Sequence, residues 1–428
     1  MDLFSATQEN NKEKVKTILN KKDANIEVNH IGAFHYKKQE TTKETRCTSL
    51  YIASREGYVE IVQLLLEDER VNVNKANQEN MTPFFAACKK GHIQVVQCML
   101  KDKRIDFNQN TNKNETAFYS ACKKGHSDVV ELMMKDERVD INNCNTKGLS
   151  PFYIACKKGC FDVVRLMLQD KRVHINKQNH KNVTPFWIAC KKGHLKIVDL
   201  MMKDERVDIN QVDNETCTAL YIVCKKGHFD IADLLLKDER TQVNKWNKKK
   251  STPFLIACKK GHLDIVDMML QDKRVDVNKQ KVDGTCALHQ VSNSHVFQLL
   301  IHHPKVDLNR KNENGDTPLH IACSRRNTNK ALHFVKAMLS SGRFILFLDS
   351  QNKKGLTPKQ IAQNQRHEEV VKLIERYEKE KQDFVTEIRS EMGLQLLTKQ
   401  QRFMYACADA QLDELKKLLY AFPIRKVP

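Results

Sequence analysis

Glycine and proline are scarce in this chain of 428 residues, at 14 and nine. A turn-rich β-protein or a low-complexity linker needs more of both, so neither class fits. Long apolar runs are missing too. The run of large apolar residues from Phe344 to Leu348 is five long, far short of a membrane-spanning helix. The opening MDLFSATQENNKEKV is polar and acidic where a secretory signal needs a basic flank and an apolar stretch, which points to a cytosolic protein, with the nucleus open to it. Catalytic signatures are absent as well: no glycine-rich phosphate loop, no G-x-S-x-G, no H-E-x-x-H and no kinase set. The sequence therefore reads as a non-enzyme that needs no cofactor. An apolar fraction of 40% argues against disorder. With 29% charged residues, it suits a thin structure with much surface per residue. The net charge of +19 favours anionic partners without choosing among them.

What the chain does have is a period. The segment CKKGH, once CKKGC, places Gly91, Gly125, Gly159, Gly193, Gly227 and Gly261 at intervals of 34 residues, and Gly57 extends the series backwards. Such regularity without insertion or deletion marks a repeat array. In the unit that starts at Thr82, the hydroxyl is an N-cap and Pro83 a first helical residue. Residues 84–90 form a short helix that Gly91 ends. A second helix follows over 93–101, with Ile93, Val96, Met99 and Leu100 spaced as one apolar stripe. The Asn- and Asp-rich stretch after it, DKRIDFNQNTNKN, suits turns and cannot be a core helix.

A period of 34 is also that of the tetratricopeptide repeat, but its Trp/Leu-Gly/Tyr signature is missing and the turn-forming stretch is too long. The unit resembles the ankyrin repeat instead. TPFFAACKKGH, SPFYIACKKGC, TPFWIACKKGH and TPFLIACKKGH match that pattern, as do the exits VNVN, VDIN, VHIN and VDVN, and Thr317 to Ala322 reads T-P-L-H-I-A. Two departures stand out. Each unit is one residue longer, within an Asp-x-Arg-Val exit such as Asp68 to Val71. The expected histidine is replaced by Phe85, Tyr119, Tyr153, Trp187, Tyr221 and Leu255, so ring stacking between repeats is expected where imidazole hydrogen bonds would otherwise lie. The resemblance implies an all-α, ankyrin-repeat solenoid: paired short antiparallel helices with protruding turn loops. The expected organisation is an atypical first repeat with an inserted loop (1–47), seven regular repeats (48–280), three degenerate repeats (281–377), and a charged helix with a partial last repeat (378–428).

The resemblance also implies that residues just before Gly-His face a concave groove and contact partners. Those residues are Lys89, Lys90, Lys123, Lys124, Lys157, Lys158, Lys191, Lys192, Lys225, Lys226, Lys259 and Lys260. With repeats advancing by 8–10 Å, they form a row of roughly 50 Å. Lysines near a helix C-terminus also complement the helix dipole, and Asp136, Glu137, Asp204 and Glu205 can neutralise part of the row. Twelve like charges repel one another, however, and stability alone does not account for that. The expected function is a monomeric scaffold that binds a protein through acidic groups. Direct electrostatic binding of nucleic acid or an anionic membrane is the alternative. The cysteines at 88, 122, 156, 190, 224 and 258 share one repeat position and read as small buried packing residues. Cys286 with His289, His295, His302 and His303 matches no familiar metal spacing.

Overall fold

The computed structural model describes residues 2–21, 27–38, 41–341, 343 and 348–379. It divides into two units, residues 1–214 and 215–428. The first opens with helices Leu3–Gln8 and Lys12–Asn20. It continues with pairs whose first helices are Ser49–Glu56, Pro83–Lys90, Ala117–Lys124, Pro151–Lys158 and Pro185–Lys192. Their second helices are Val59–Glu67, Ile93–Leu100, Ser127–Met134, Phe161–Gln169 and Leu195–Met202. The second unit has first helices Ala219–Lys226, Pro253–Lys260, Ala287–Gln290, Pro318–Cys323 and Pro358–Asn364. Each is followed by a partner: Phe229–Lys237, Leu263–Gln271, Ser294–His302, Thr328–Leu339 and Glu368–Lys379. Both units are stacks of helix pairs, and the first also carries one two-stranded ribbon. Within each unit, first helices lie against first helices and second against second.

Local sequence explains each boundary. Thr82, Thr116, Ser150 and Thr184 turn their hydroxyls to accept the N–H of the third helical residue, satisfying a donor the helix leaves orphaned. At the other end, Gly91 adopts φ +82°, a left-handed conformation costly to any residue with a Cβ. The core alternates between layers. First helices supply Phe84, Phe118, Phe152 and Phe186, each at most 1% exposed, and second helices supply pairs such as Val129 and Val130 with Met133. Removing one such ring costs about 3–5 kcal/mol. Of the four residues expected on one stripe, Val96 and Met99 are buried, whereas Ile93 is 40% exposed. Val95 takes its place, because a helix of eight residues wedged on one side buries adjacent positions.

The six repeat cysteines are buried, as expected of packing residues. The thiols of Cys88, Cys122 and Cys156 pack 3.6, 3.8 and 3.9 Å from the sulfurs of Met133, Met167 and Met201 in the next repeat. Burial pushes the Cys88, Cys122 and Cys156 thiols well up, so no thiolate forms there at neutral pH.

The extra residue of each unit has a structural use. Arg138 Nη2 donates to the Leu100 carbonyl at 2.7 Å, Arg172 to Met134 at 2.7 Å, and Arg206 to Leu168 at 2.6 Å. Each guanidinium thus caps the second helix of the preceding repeat. It is held in line by the carboxylate two residues earlier, Asp136, Asp170 and Asp204, at 2.6 Å. The asparagine that ends each exit forms another tie. Asn108 Nδ2 donates to the Arg138 carbonyl at 2.8 Å, and Asn108 Oδ1 accepts the Asp140 N–H at 2.8 Å. Asn74, Asn142 and Asn176 repeat this pattern in the same unit.

The segment expected as an inserted loop is an antiparallel ribbon, β1 (Gly32–Lys38) and β2 (Thr41–Cys47), in register from Gly32 opposite Cys47 to Lys38 opposite Thr41. It lengthens the turn ahead of the Thr48 cap. Asn77 Nδ2 holds it at Thr45 Oγ1, 3.2 Å away, while also donating to the Tyr51 hydroxyl at 3.3 Å. The charged helix expected at the C-terminus is described only as far as Lys379. Its continuation and the partial repeat from Phe403 lie outside the described residues.

Candidate functional site

Each Lys-Lys pair ends a first helix, and the two residues of a pair differ. In the first unit Lys89, Lys123, Lys157 and Lys191 are half-buried, whereas Lys90, Lys124, Lys158 and Lys192 are exposed. For three of the half-buried lysines a ring one turn earlier braces the side chain. The Lys89 ammonium lies 5.7 Å from the Phe85 ring centroid, that of Lys123 5.7 Å from Tyr119, and that of Lys191 5.1 Å from Trp187. In these three the stem runs beside the ring and the ammonium lies over its face. Lys123 also forms an ion pair with Glu115 at 2.9 Å, so the row is partly neutralised there. In the second unit Lys225, Lys226, Lys259 and Lys260 are all exposed.

Lysines of successive repeats sense one another. Burial, followed by the charges of Lys192, Lys158, Lys147 and Lys123, holds Lys157 below the ordinary lysine range. Lys90 is lowered by burial and then by Arg55 and Lys124. In the second unit burial and Lys259 lower Lys281. Lys147 and Lys281 are not in the Lys-Lys motif. They belong to the turns between repeats, and the signal for Lys147 was available in the sequence: Lys113, Lys147 and Lys181 recur at the same interval of 34 residues. The aspartates expected to neutralise the row do not reach it. Asp136 and Asp204 are held below the ordinary carboxylate range by hydrogen bonds from Arg138 and Arg206.

In three repeats of the first unit the Gly-His pair is an interlock with the preceding repeat, whereas in the second unit the Nε2 of His262 is buried without a hydrogen-bond partner. His92, His126 and His194 place Nε2 2.9, 3.2 and 3.3 Å from the carbonyls of Arg55, Lys89 and Lys157 in the preceding repeat. A carbonyl only accepts, so Nε2 carries the proton. A Cβ built on Gly91 would lie 2.7 Å from the His126 ring, which makes that glycine a requirement of fit as well as of conformation. Where Cys160 replaces histidine, its sulfur instead stands 3.2 Å from the corresponding point on Gly125.

At the position where ring stacking was expected, the tyrosines act through their hydroxyls. Asn145 Nδ2 donates to Tyr119 Oη at 3.1 Å and Asn179 Nδ2 to Tyr153 Oη at 3.2 Å. Cys286 and His289 meet, with Sγ 2.8 Å from Nδ1, but no group of three His, Cys, Asp or Glu side chains able to hold a metal forms among the described residues. Nor is any described helix long and apolar enough to cross a membrane.

A search of curated proteins found no match to the chain. A family model described as ankyrin repeats (3 copies) matches residues 3–111, 103–179, 171–246, 239–312 and 286–384. Ankyrin repeats are generally modules of protein–protein interaction, and proteins built from them are typically non-catalytic. The capped helix pairs, the Gly-His interlocks and a family match running from residue 3 to residue 384 agree: the chain belongs to the ankyrin-repeat family.

Proposed function

We propose that the chain is a non-catalytic scaffold that holds an acidic segment of a partner protein against the lysine-bearing ends of its first helices. The observation that carries this reading is the recurrence of the lysine pair at the end of six first helices, with Lys90, Lys124, Lys158, Lys192, Lys226 and Lys260 all exposed. Neighbouring lysines, after burial, also lower Lys157. A row of like charges opposes folding, and an anionic partner relieves the cost. The rings beside the row favour a protein over single-stranded nucleic acid. Phe85, Tyr119 and Trp187 are 2%, 1% and 4% exposed, so they offer no face on which a base can stack.

The test replaces Lys89, Lys90, Lys123, Lys124, Lys157 and Lys158 by alanine and measures binding of a glutamate-rich peptide. The helical circular-dichroism signal stays unchanged, because none of these ammoniums is buried in the core. Affinity falls at least about tenfold, the equivalent of losing a few charge pairs. Unchanged affinity overturns the reading. So does a preference for nucleic acid or anionic vesicles over the peptide, with the steep salt dependence that counterion release produces.

A further inference from the structure

Trp246, in a turn between repeats of the second unit, breaks the period. The same place in other turns holds Ala76, Asn110, Cys144, Gln178, Val212 and Gln280, so the fold closes there without a large ring. Lys248, Lys249 and Lys250 follow it where the preceding turn has Asn214, Glu215 and Thr216. Duplication therefore explains neither the ring nor the three lysines. The turn is well made: Asn247 Oδ1 accepts the N–H groups of Lys249 and Ser251, each at 3.0 Å. It leaves Lys245, Lys248, Lys249 and Lys250 exposed, and Trp246 keeps 43% of its surface open. Two lysines of the next turn join them. The Lys279 ammonium lies 4.7 Å from the Trp246 ring centroid. Lys281, which donates to Gln290 Oε1, is lowered by burial and then by Lys259, with Lys249 adding to the effect. The carboxylates of that turn are engaged locally: Asp276 stands 3.9 Å from Lys279, and Asp283 Oδ1 accepts the Thr285 N–H at 3.0 Å.

We infer that these two turns form a second binding surface, for single-stranded nucleic acid. One base stacks on the open side of Trp246, and the phosphates around it meet Lys245, Lys248, Lys249, Lys250, Lys279 and Lys281. The inference goes beyond the lysine row and does not rest on it. The rings beside the row are covered, which excludes stacking there; here a ring is open among cations, and any base has a face to offer it. An anionic membrane fits less well. Sinking the ring among acyl chains drags the Lys279 ammonium and the Asp276 carboxylate out of water, a cost that a stacked base does not impose. A glutamate-rich peptide engages the lysines but leaves the ring unused. Six lysines and one ring, against the twelve lysines of the row, make a single strand the weaker of the chain's two ligands. A preference for nucleic acid over the peptide therefore still counts against the row.

Fluorescence anisotropy on the full chain at low salt tests this with two labelled strands of about twelve nucleotides, within the range one such surface covers. One is oligothymidine; the other has the same phosphates and no bases. Oligothymidine binds about tenfold tighter, as one stacked base provides. Trp246→Ala brings it down to the abasic level and leaves the glutamate-rich peptide's affinity as it was. Equal affinity of the two strands for the unaltered chain overturns the inference, and that comparison needs no variant to fold. So does an advantage of the bases that survives Trp246→Ala, or the failure of both strands to bind. A fall in the peptide's affinity with Trp246→Ala also overturns it, by making the turn part of the protein site. Phosphatidylserine vesicles that displace oligothymidine overturn it in favour of a membrane. Strand binding that is lost with the six alanines in residues 89–158, and not with Trp246→Ala, moves nucleic acid to the row and overturns both readings; the lysine row stands in every other case where the peptide binds and those alanines weaken it.

Discussion

In the repeats around Tyr119 and Tyr153, the third residue of the first helix sends a phenol to the asparagine that opens the next turn. In those around His289 and His320, the same position sends an imidazole to the carbonyl that closes that turn. His289 Nε2 lies 2.9 Å from Asp316 O, and His320 Nε2 3.1 Å from Leu356 O. Both devices pin a turn to the helix before it. They differ in what happens at the other nitrogen. With Nε2–H donating, His320 Nδ1 must accept, and it sits 3.1 Å from the Thr317 N–H and 2.7 Å from the Thr317 hydroxyl. Cys286 stands in for that threonine beside His289. The imidazole therefore ties the next turn and its own helix cap at once, whereas the phenol ties only the turn. One residue position thus carries two designs: a tie indifferent to pH near neutrality, and a double tie that depends on a neutral ring.

Breaking the double tie has the largest expected effect. His320→Ala removes both ties and empties a fully buried site, while the Leu356 carbonyl keeps the Asn352 N–H at 3.0 Å, so a loss of about 3 kcal/mol, most of it from the emptied site, is expected in chemical denaturation. Acid reaches the same tie without mutation. Burial first of all holds His289 and His320 below the ordinary histidine value. The folded form therefore binds a proton less readily than the unfolded one. The stabilisation is full above about pH 6.5 and is lost as pH falls from there through the lower folded values. Hydrogen exchange at pH 7 and pH 5, corrected for intrinsic rates, should show residues 281–377 losing protection while residues 117–179 keep theirs. Equal loss in both stretches would show that the ring's protonation state does not govern the tie.

How far the sequence foretold this depends on what each signal encodes. The helix pairs were legible because caps, glycines and apolar spacing act within a few residues, and the period repeats them. The expected helices over 84–90 and 93–101 became Pro83–Lys90 and Ile93–Leu100. Ties between repeats were less legible, since each joins residues 26 to 38 apart that no local pattern links. Asp-x-Arg read as one residue too many, and only the structure shows Arg138 reaching back to the Leu100 carbonyl. The ribbon was missed because its Lys, Glu and Gln content resembles a loop, although Phe34, Tyr36, Thr41, Thr42 and Thr45 carry strand propensity. The lysine row was named residue by residue. Its division into ring-braced and exposed members was not, since it depends on how the ring one turn earlier packs.

The single tie is expected to be worth less. Tyr119→Phe keeps the ring, which is 1% exposed, and deletes only the acceptor for the buried Asn145 amide. A buried donor left without a partner costs about 1–2 kcal/mol. Thermal or denaturant unfolding of the variant measures that loss, and a value as large as that of His320→Ala would erase the distinction between the two designs.

The smallest effect has the opposite sign and lies inside the tyrosine-tied stretch. In the repeats on either side, a Gly-His interlock joins neighbours: His126 to Lys89 and His194 to Lys157. Between them Cys160 faces Gly125, and the Lys123 carbonyl lacks the imidazole that the Lys89 and Lys157 carbonyls receive. Gly125 already has the left-handed φ of +81° and the open Cβ position that an overlying ring needs. Cys160→His should therefore enter without rebuilding the backbone and donate from Nε2 to Lys123 O. One added hydrogen bond in a half-buried place stabilises by about 0.5–1.5 kcal/mol. Unfolding midpoints of the variant against the unaltered chain read this directly. A gain would establish that the Gly-His pair contributes stability as an interlock between repeats; a loss would mean that Gly125 and Cys160 have settled into a contact of their own, which the larger ring disrupts.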